Sequence, residues 1–121
     1  MTQYKIATTY NEYKDCHSLL EEDEELFYPT VMAIRDGKVI GMISTANGEK
    51  SLFAKSMVAN SIFTSIGLYE LYDKTLSNLG VEHYLFSVSS DNDKMINAVE
   101  KLFKVKPYTE IDGQLWYVRR L

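Results

Sequence analysis

Asn60-Ser61-Ile62-Phe63-Thr64-Ser65-Ile66-Gly67-Leu68 lies between a β-prone run and an amphipathic helical pattern. Upstream, Ser51 to Ala59 reads as a strand. Downstream, Leu68, Leu71, Tyr72, Leu76 and Leu79 recur at helical spacing, which predicts a helix from about Ile66 to Leu79 with one apolar face. Gly80 follows as a C-terminal stop. A strand that enters a helix through small polar residues exposes backbone N–H groups at the positive end of that helix, a natural seat for a phosphate. Of the glycines common in such loops, only Gly67 is present.

The rest of the chain extends this unit in both directions. On the N-terminal side, Tyr4 to Thr8 alternates and is β-prone. Thr9 followed three residues later by Glu12 fits a capping box, so a helix is expected from Asn11 to about Glu21. The run Glu21-Glu22-Asp23-Glu24-Glu25 reads as a solvated loop or as a surface for a basic partner. Thr30 to Arg35 and Lys38 to Thr45 flank Asp36-Gly37, a strong short hairpin signal. Ala46-Asn47-Gly48-Glu49 then turns the chain into the strand at Ser51, giving a three-stranded meander.

On the C-terminal side, Val81 to Ser89 is a strand. Ser90-Asp91-Asn92-Asp93 offers several helix N-cap residues. A helix from Asp93 to about Lys104 is expected to bury Met95, Ile96, Val99, Leu102 and Phe103. Lys106 to Ile111 and Gln114 to Arg119 close the chain as a hairpin across Asp112-Gly113. In the order β-α-β-β-β-α-β-α-β-β, the strand–helix–strand unit around the central helix favours a parallel crossover. It describes one α/β (α+β) domain over residues 1–121, with a mixed central sheet of about seven strands flanked by three helices.

Composition narrows the function classes. The 121 residues carry Lys+Arg 13 against Asp+Glu 17, a net charge of −4, which argues against nucleic acid as the main partner. The single cysteine, Cys16, permits no intrachain disulfide and fits a reducing compartment. It reads as a buried small side chain; the adjacent His17 does not face it on a helix. The first ten residues hold no apolar signal region and no run approaches membrane-spanning length, so a cytoplasmic protein is expected. No cluster of residues suggests a metal site.

The element order resembles the GNAT acyltransferase fold over nearly the whole chain, Tyr4 to Leu121. Two stretches carry the likeness. Ile66-Gly67 and the helix ending at Leu79-Gly80 look like the family's cofactor-loop helix. Ser89-Ser90-Asp91-Asn92, leading into Met95-Ile96 and then Glu100-Lys101-Leu102-Phe103, looks like its next strand-to-helix junction. The resemblance implies transfer of an acyl group from acetyl-CoA, or another acyl-CoA, to an amine acceptor. It implies that the strand end near Ser56, Met57 and Val58 offers backbone hydrogen bonds to the pantetheine arm. Phe63, Thr64, Ser65 and Gly67 are then expected around the pyrophosphate, and Asn92 at the junction.

Several positions depart from the family pattern. Ile62 stands where an Arg or Gln is usual, Ser65 and Phe63 stand at glycine positions, and Val99 stands where the last helix often carries a Tyr acid. The hydroxyls of Thr64 and Ser65 could bind phosphate or cap the helix. Tyr108 is a conceivable acid and also a packed strand aromatic. Glu70, His83 and Asp91 are possible bases by type, and the catalytic residues are left unassigned. These departures open a second expectation, a GNAT-fold binding or structural protein without catalysis. Small GNAT-like proteins of tailed phages, associated with the head or virion interior, resemble it loosely through Glu110-Ile111-Asp112-Gly113-Gln114-Leu115. The location would then be the virion. A homodimer is compatible with either expectation.

Overall fold

The computed structural model describes residues 1–20, 25–47, 52–59 and 61–121. The acidic residues Glu21 to Glu24, residues 48–51, which include part of the turn expected at Ala46-Asn47-Gly48-Glu49, and Asn60 lie outside the described residues. Within them the chain order is β1 (Gln3–Ile6), α1 (Tyr10–His17), β2 (Phe27–Arg35), β3 (Lys38–Asn47), β4 (Leu52–Ala59), α2 (Ile62–Asn78), β5 (His83–Ser89), α3 (Asp93–Phe103), β6 (Thr109–Ile111) and β7 (Gln114–Arg120).

Local chemistry explains most of these boundaries. Thr9 caps α1 through the expected box: its hydroxyl accepts from Glu12 N at 3.2 Å, and Glu12 Oε1 accepts from Thr9 N at 3.2 Å. Lys5 pairs with the other carboxylate oxygen. That pair and the amides of Thr8 and Thr9 hold the Glu12 carboxyl down at about 2. The helix ends at His17, shorter than the expected run to Glu21, because Ser18 closes it by donating to Asp15 O at 2.6 Å. At the end of α2, Gly80 takes φ +81°. Its N–H donates to Ser77 O and the N–H of Val81 to Leu76 O, both at 3.0 Å, the paired bonds of a Schellman stop.

Both Asp-Gly pairs make tight hairpin turns with positive φ at both residues, 52° and 76° at Asp36-Gly37 and 50° and 76° at Asp112-Gly113. This geometry matches the right-handed twist of the flanking strands.

The strands lie in the order β1-β2-β3-β4-β5-β7-β6. All neighbours are antiparallel except β4 and β5. That parallel join rests on one register pair, Phe53 with Leu85. By contrast β5 pairs with β7 along all its residues, His83 with Arg120 through Ser89 with Gln114. The sheet thus divides into β1–β4 and β5-β7-β6, which part beyond Phe53 and Leu85 toward Ala59 and Ser89. A second irregularity lies at the same end. Met42 pairs with Val58 but Ser44 pairs with Lys55, so Ser56 and Met57 together oppose Ile43 alone. This is a β-bulge, whose extra residue leaves backbone groups unpaired.

The main core lies where α2 and α3 cover the sheet. It gathers Val31, Ala33 and Ile43 from the first part, Leu68, Tyr69, Tyr72 and Leu76 from α2, Tyr84, Phe86 and Val88 from β5, Val99 and Tyr117. Leu79, counted from spacing into the α2 face, is 54% exposed because it sits past the last helical turn. Leu102 of α3 is also exposed, leaving Val99 as the fully buried residue of that helix. A smaller core of Ala7, Cys16, Met32 and Met42 lies under α1.

Gly37→Ala tests the hairpin reading directly, since nothing lies within 4 Å of the added Cβ and only the left-handed backbone is penalised. The variant should lose about 1–2 kcal/mol, seen as a lower urea midpoint with an unchanged slope.

Candidate functional site

Divergence of β4 and β5 opens a cleft of about 300 Å³ at the C-terminal ends of these strands. Ala59 of β4 forms one wall and Ser87, Val88 and Ser89 of β5 the other. Ser65 and Tyr69 of α2 line it, with Asn92 and Met95 at the start of α3 and Gln114 at the start of β7. The bulge at Ser56 and Met57 lies on the β4 side, two to three residues before Ala59. Among the described residues, no charged side chain lines this cleft. The acidic residues beside it are Asp91, which accepts from Ser89 Oγ at 2.6 Å, and Asp93 in the first turn of α3.

The helix α2 begins at Ile62, one turn earlier than its apolar spacing indicates. Ser61, extended at φ −160° and ψ 165°, is the N-cap, and its side chain accepts from Thr64 N at 3.2 Å. Phe63, Thr64 and Ser65 are therefore first-turn helical residues rather than loop. Apolar periodicity missed this turn because its polar residues are buried by capping: Thr64 and Ser65 are each 5% exposed. The Ser61 hydroxyl lies 3.1 Å from Thr64 Oγ1, and Ser65 Oγ donates to Ser61 O at 3.0 Å. Of the two roles open to these hydroxyls, capping is the one observed. The amides of Ile62 and Phe63, first in the helix, have no carbonyl one turn back within it to receive them.

The expected site residues separate accordingly. Ser65 and Asn92 reach the cleft. Asn92 is also the α3 N-cap, accepting from Met95 N at 3.3 Å. Met57 and Val58 are placed as β4 backbone at and beside the bulge. Phe63 is 84% exposed, its ring directed to solvent rather than into the cleft. Thr64 is buried under the cap. Gly67 faces the other way: a Cβ there would come within 2.2 Å of the Tyr4 ring on β1. The absence of a side chain at Gly67 lets α2 lie close over β1.

The residues weighed for acid or base roles do not line the cleft. Glu70 is exposed on α2, His83 is exposed at the far end of β5, and Tyr108 is 56% exposed before β6. Cys16 is fully buried, and burial pushes its thiol up to about 11. Tyr69, by contrast, is a cleft residue that the sequence reading passed over. Its i to i+4 relation to Ser65 places both on one helical face, a usable signal. Gln114 reaches the cleft only through the pairing of β7 with β5, which no local pattern shows. No described helix is long and apolar enough to cross a membrane, and no described group of three or more His, Cys, Asp or Glu could hold a metal ion.

No family model matches the chain, and no curated protein matches it in sequence. Solved structures match it well. Aminoglycoside 6'-acetyltransferase type Ii superposes with a TM-score of 0.76 at 17% identity, covering 98% of this chain and 96% of that one. The ribosomal-protein-S18-alanine N-acetyltransferase of Escherichia coli gives 0.71 at 13% identity, over 99% and 94%. The PaiA N-acetyltransferase of Thermoplasma acidophilum, in complex with coenzyme A, gives 0.66 at 14% identity, over 76% and 60%. At these identities the likeness shows the fold: the chain has a GNAT-like α/β fold.

The buried thiol gives a direct check on the small core and on the absence of a cysteine nucleophile. Iodoacetamide should modify Cys16 in the native chain at least about 10²-fold more slowly than in the denatured chain, because thiolate is both scarcer and shielded. Equal rates would contradict this placement.

Proposed function

We propose that this domain is an acyl-CoA-dependent N-acyltransferase that transfers an acyl group, acetyl in the simplest case, from coenzyme A to an amine. The observation that carries this reading is the cleft between the diverging ends of β4 and β5, which reaches Ser65 in the first turns of α2 and lies two to three residues from the β4 bulge. A pantetheine arm bears amides that need strand-like partners, and the β4 edge that parts from β5 at Met57 and Val58 offers them. The pyrophosphate needs donors rather than a particular side chain, and the amides of Ile62 and Phe63 at a helix N-terminus meet that need. Bulge N–H groups also suit polarisation of a thioester carbonyl, while the cleft holds the amine in attacking range. Ser65 and Asn92 line the space for the arm. Thr64 acts through the cap, and Gly67 through close packing of α2 on β1. The similar solved structures named as acetyltransferases, one of them holding coenzyme A, support the reading by analogy of fold.

One observation favours a second reading, a GNAT-fold binding or structural protein without turnover, as in a virion. The first-turn hydroxyls are engaged in capping, Ile62 supplies no polar side chain, and the described lining of the cleft presents no charge to a phosphate. In that case the protein would act through its surface, as a homodimer or within a larger assembly.

Acetyl-CoA binding separates the two. At about a hundred times its dissociation constant the ligand should stabilise the fold by roughly 2.7 kcal/mol. Ile62→Pro is the informative variant. Proline is favoured at the first helical position, and the extended Ser61 suits a residue before proline, so the helix is retained while one amide donor disappears. The variant should fold normally and bind acetyl-CoA about tenfold more weakly, as expected for one hydrogen bond to a charged group. No thermal shift of the native protein at millimolar acetyl-CoA would leave the structural reading. Binding accompanied by amine-dependent thiol release would establish the enzyme.

A further inference from the structure

The cleft has two mouths. Tyr84, Phe86 and Val88 of β5 and Tyr117 of β7 belong to the core beneath α2 and α3. Alternation along a strand therefore turns Ser87, Ser89, Gln114 and Trp116 to the opposite face of the sheet. The register agrees: Ser87 stands opposite Trp116, and Ser89 opposite Gln114. Ser65, Tyr69, Asn92 and Met95 line the cleft from the helices, whereas Ser87, Ser89 and Gln114 line it from this second face. The opening thus passes through the sheet. On the second face α1 packs over Met32 and Met42, in the first part of the sheet.

The described groups of the second mouth are neutral, and several are uncommitted. Among the described residues, neither the Ser87 hydroxyl nor the Gln114 carboxamide has a hydrogen-bond partner. Ser89 Oγ donates to Asp91 and keeps its lone pairs. Trp116 is half-buried, with Ser87 on one side and Thr109 of β6 on the other. Cross-strand partners of this kind have Cβ atoms about 5 Å apart, so the indole borders the cleft at Ser87. The carboxylates of Asp91 and Asp93 lie beside the cleft and outside its lining.

This chemistry selects among amines. A polyamine calls for carboxylates and an anionic acceptor for cations, and the described lining supplies neither. A sugar ring has an apolar C–H face and a rim of uncharged hydroxyls. An indole suits the first. A carboxamide, with one acceptor oxygen and two donor hydrogens, suits adjacent hydroxyls of the second, and a serine hydroxyl serves as donor or acceptor. The cleft volume of about 300 Å³ is at the small end for ligand pockets, which favours a single ring over a chain of them.

We propose that the second mouth takes a monosaccharide-sized amino sugar as the acyl acceptor, its ring against Trp116 and its hydroxyls on Gln114 and Ser87. The assignment rests on the acyltransferase reading above. The sugar amine reacts as the free base, its nitrogen attacking the thioester carbonyl carbon. A C–N bond forms and the C–S bond breaks, with its electron pair moving to sulfur. The proton released from nitrogen passes through water to the thiolate.

Trp116 is the only tryptophan of the chain, so its selectively excited emission reports this mouth without reference to turnover. Glucosamine should change that emission saturably. Glucose should do the same with a Kd within about tenfold, since the ring rather than the amine carries recognition. Spermidine and trialanine should not. Gln114→Leu keeps the volume and removes the carboxamide. It should weaken glucosamine binding about tenfold, as for one or two neutral hydrogen bonds, while acetyl-CoA still raises its melting temperature. In turnover, KM for glucosamine should rise about tenfold in this variant and KM for acetyl-CoA stay within about twofold. No saturable change with glucosamine, a change with spermidine or trialanine instead, or unaltered glucosamine binding by Gln114→Leu overturns the acceptor assignment and leaves the acyltransferase reading standing. Failure of the native chain to bind acetyl-CoA overturns that reading and the acceptor role with it, whatever the emission shows.

Discussion

Tyr72 bridges the two parts of a sheet that its own hydrogen bonds scarcely join. Its hydroxyl lies 2.8 Å from Thr45 Oγ1 on β3, and its ring meets Tyr84 of β5 edge-on at 5.1 Å. Thr45 in turn donates to Pro29 O at 2.7 Å, which ties the contact to β2. Beyond the Phe53–Leu85 pair, β4 and β5 have no mutual ladder to hold their spacing. Packing of α2 across both parts supplies that constraint instead. Aromatic pairs of this kind add roughly 0.5–1.5 kcal/mol beyond their buried area.

A second anchor holds the same helix to the far part. Asp73 accepts from Tyr84 Oη at 2.5 Å and from Arg119 Nε at 3.1 Å, and the Arg119 guanidinium lies 4.4 Å over the Phe103 ring. Burial raises the Asp73 carboxyl despite these two donors. The group is held in place by its partners rather than placed there for its own stability. Phe86 stacks on Tyr117 at 5.1 Å, extending the same aromatic layer to β7. With α2 fixed from both sides, the strands are free to part at their C-terminal ends. The cleft is the result: an opening in the sheet whose width is set by a helix.

Under the acyltransferase reading, chemistry in such an opening would draw on backbone more than on charged side chains. The β4 bulge and the start of α2 leave backbone groups without ladder or helical partners, and the described lining side chains are neutral. Fixed dipoles of this kind act at full strength in a site partly closed to water and need no reorganisation as charge develops.

Features set by neighbours in the chain were legible from the residues. The two Asp-Gly turns, the Thr9–Glu12 box, the stop at Gly80 and the cap at Asn92 each depend on a few adjacent φ and ψ values and on one or two short hydrogen bonds. The strand and helix order followed from periodicity, and with it the position of the cofactor-like loop. Boundaries failed where polarity masked a buried turn, as at Ile62 to Ser65, or where a leucine in register fell past the helix end, as at Leu79. What side a residue faces within that order required distant contacts. Phe63 points to solvent, Gly67 meets Tyr4 from a strand some sixty positions earlier, Gln114 arrives beside Ser89, and Tyr69 finds two phenylalanines and an open cavity. The residues alone thus specified the elements and their succession, because those are governed by local sterics and patterning. The bulge, the parting of β4 from β5 and the lining of the cleft came only from the assembled fold, because each depends on how separate segments meet.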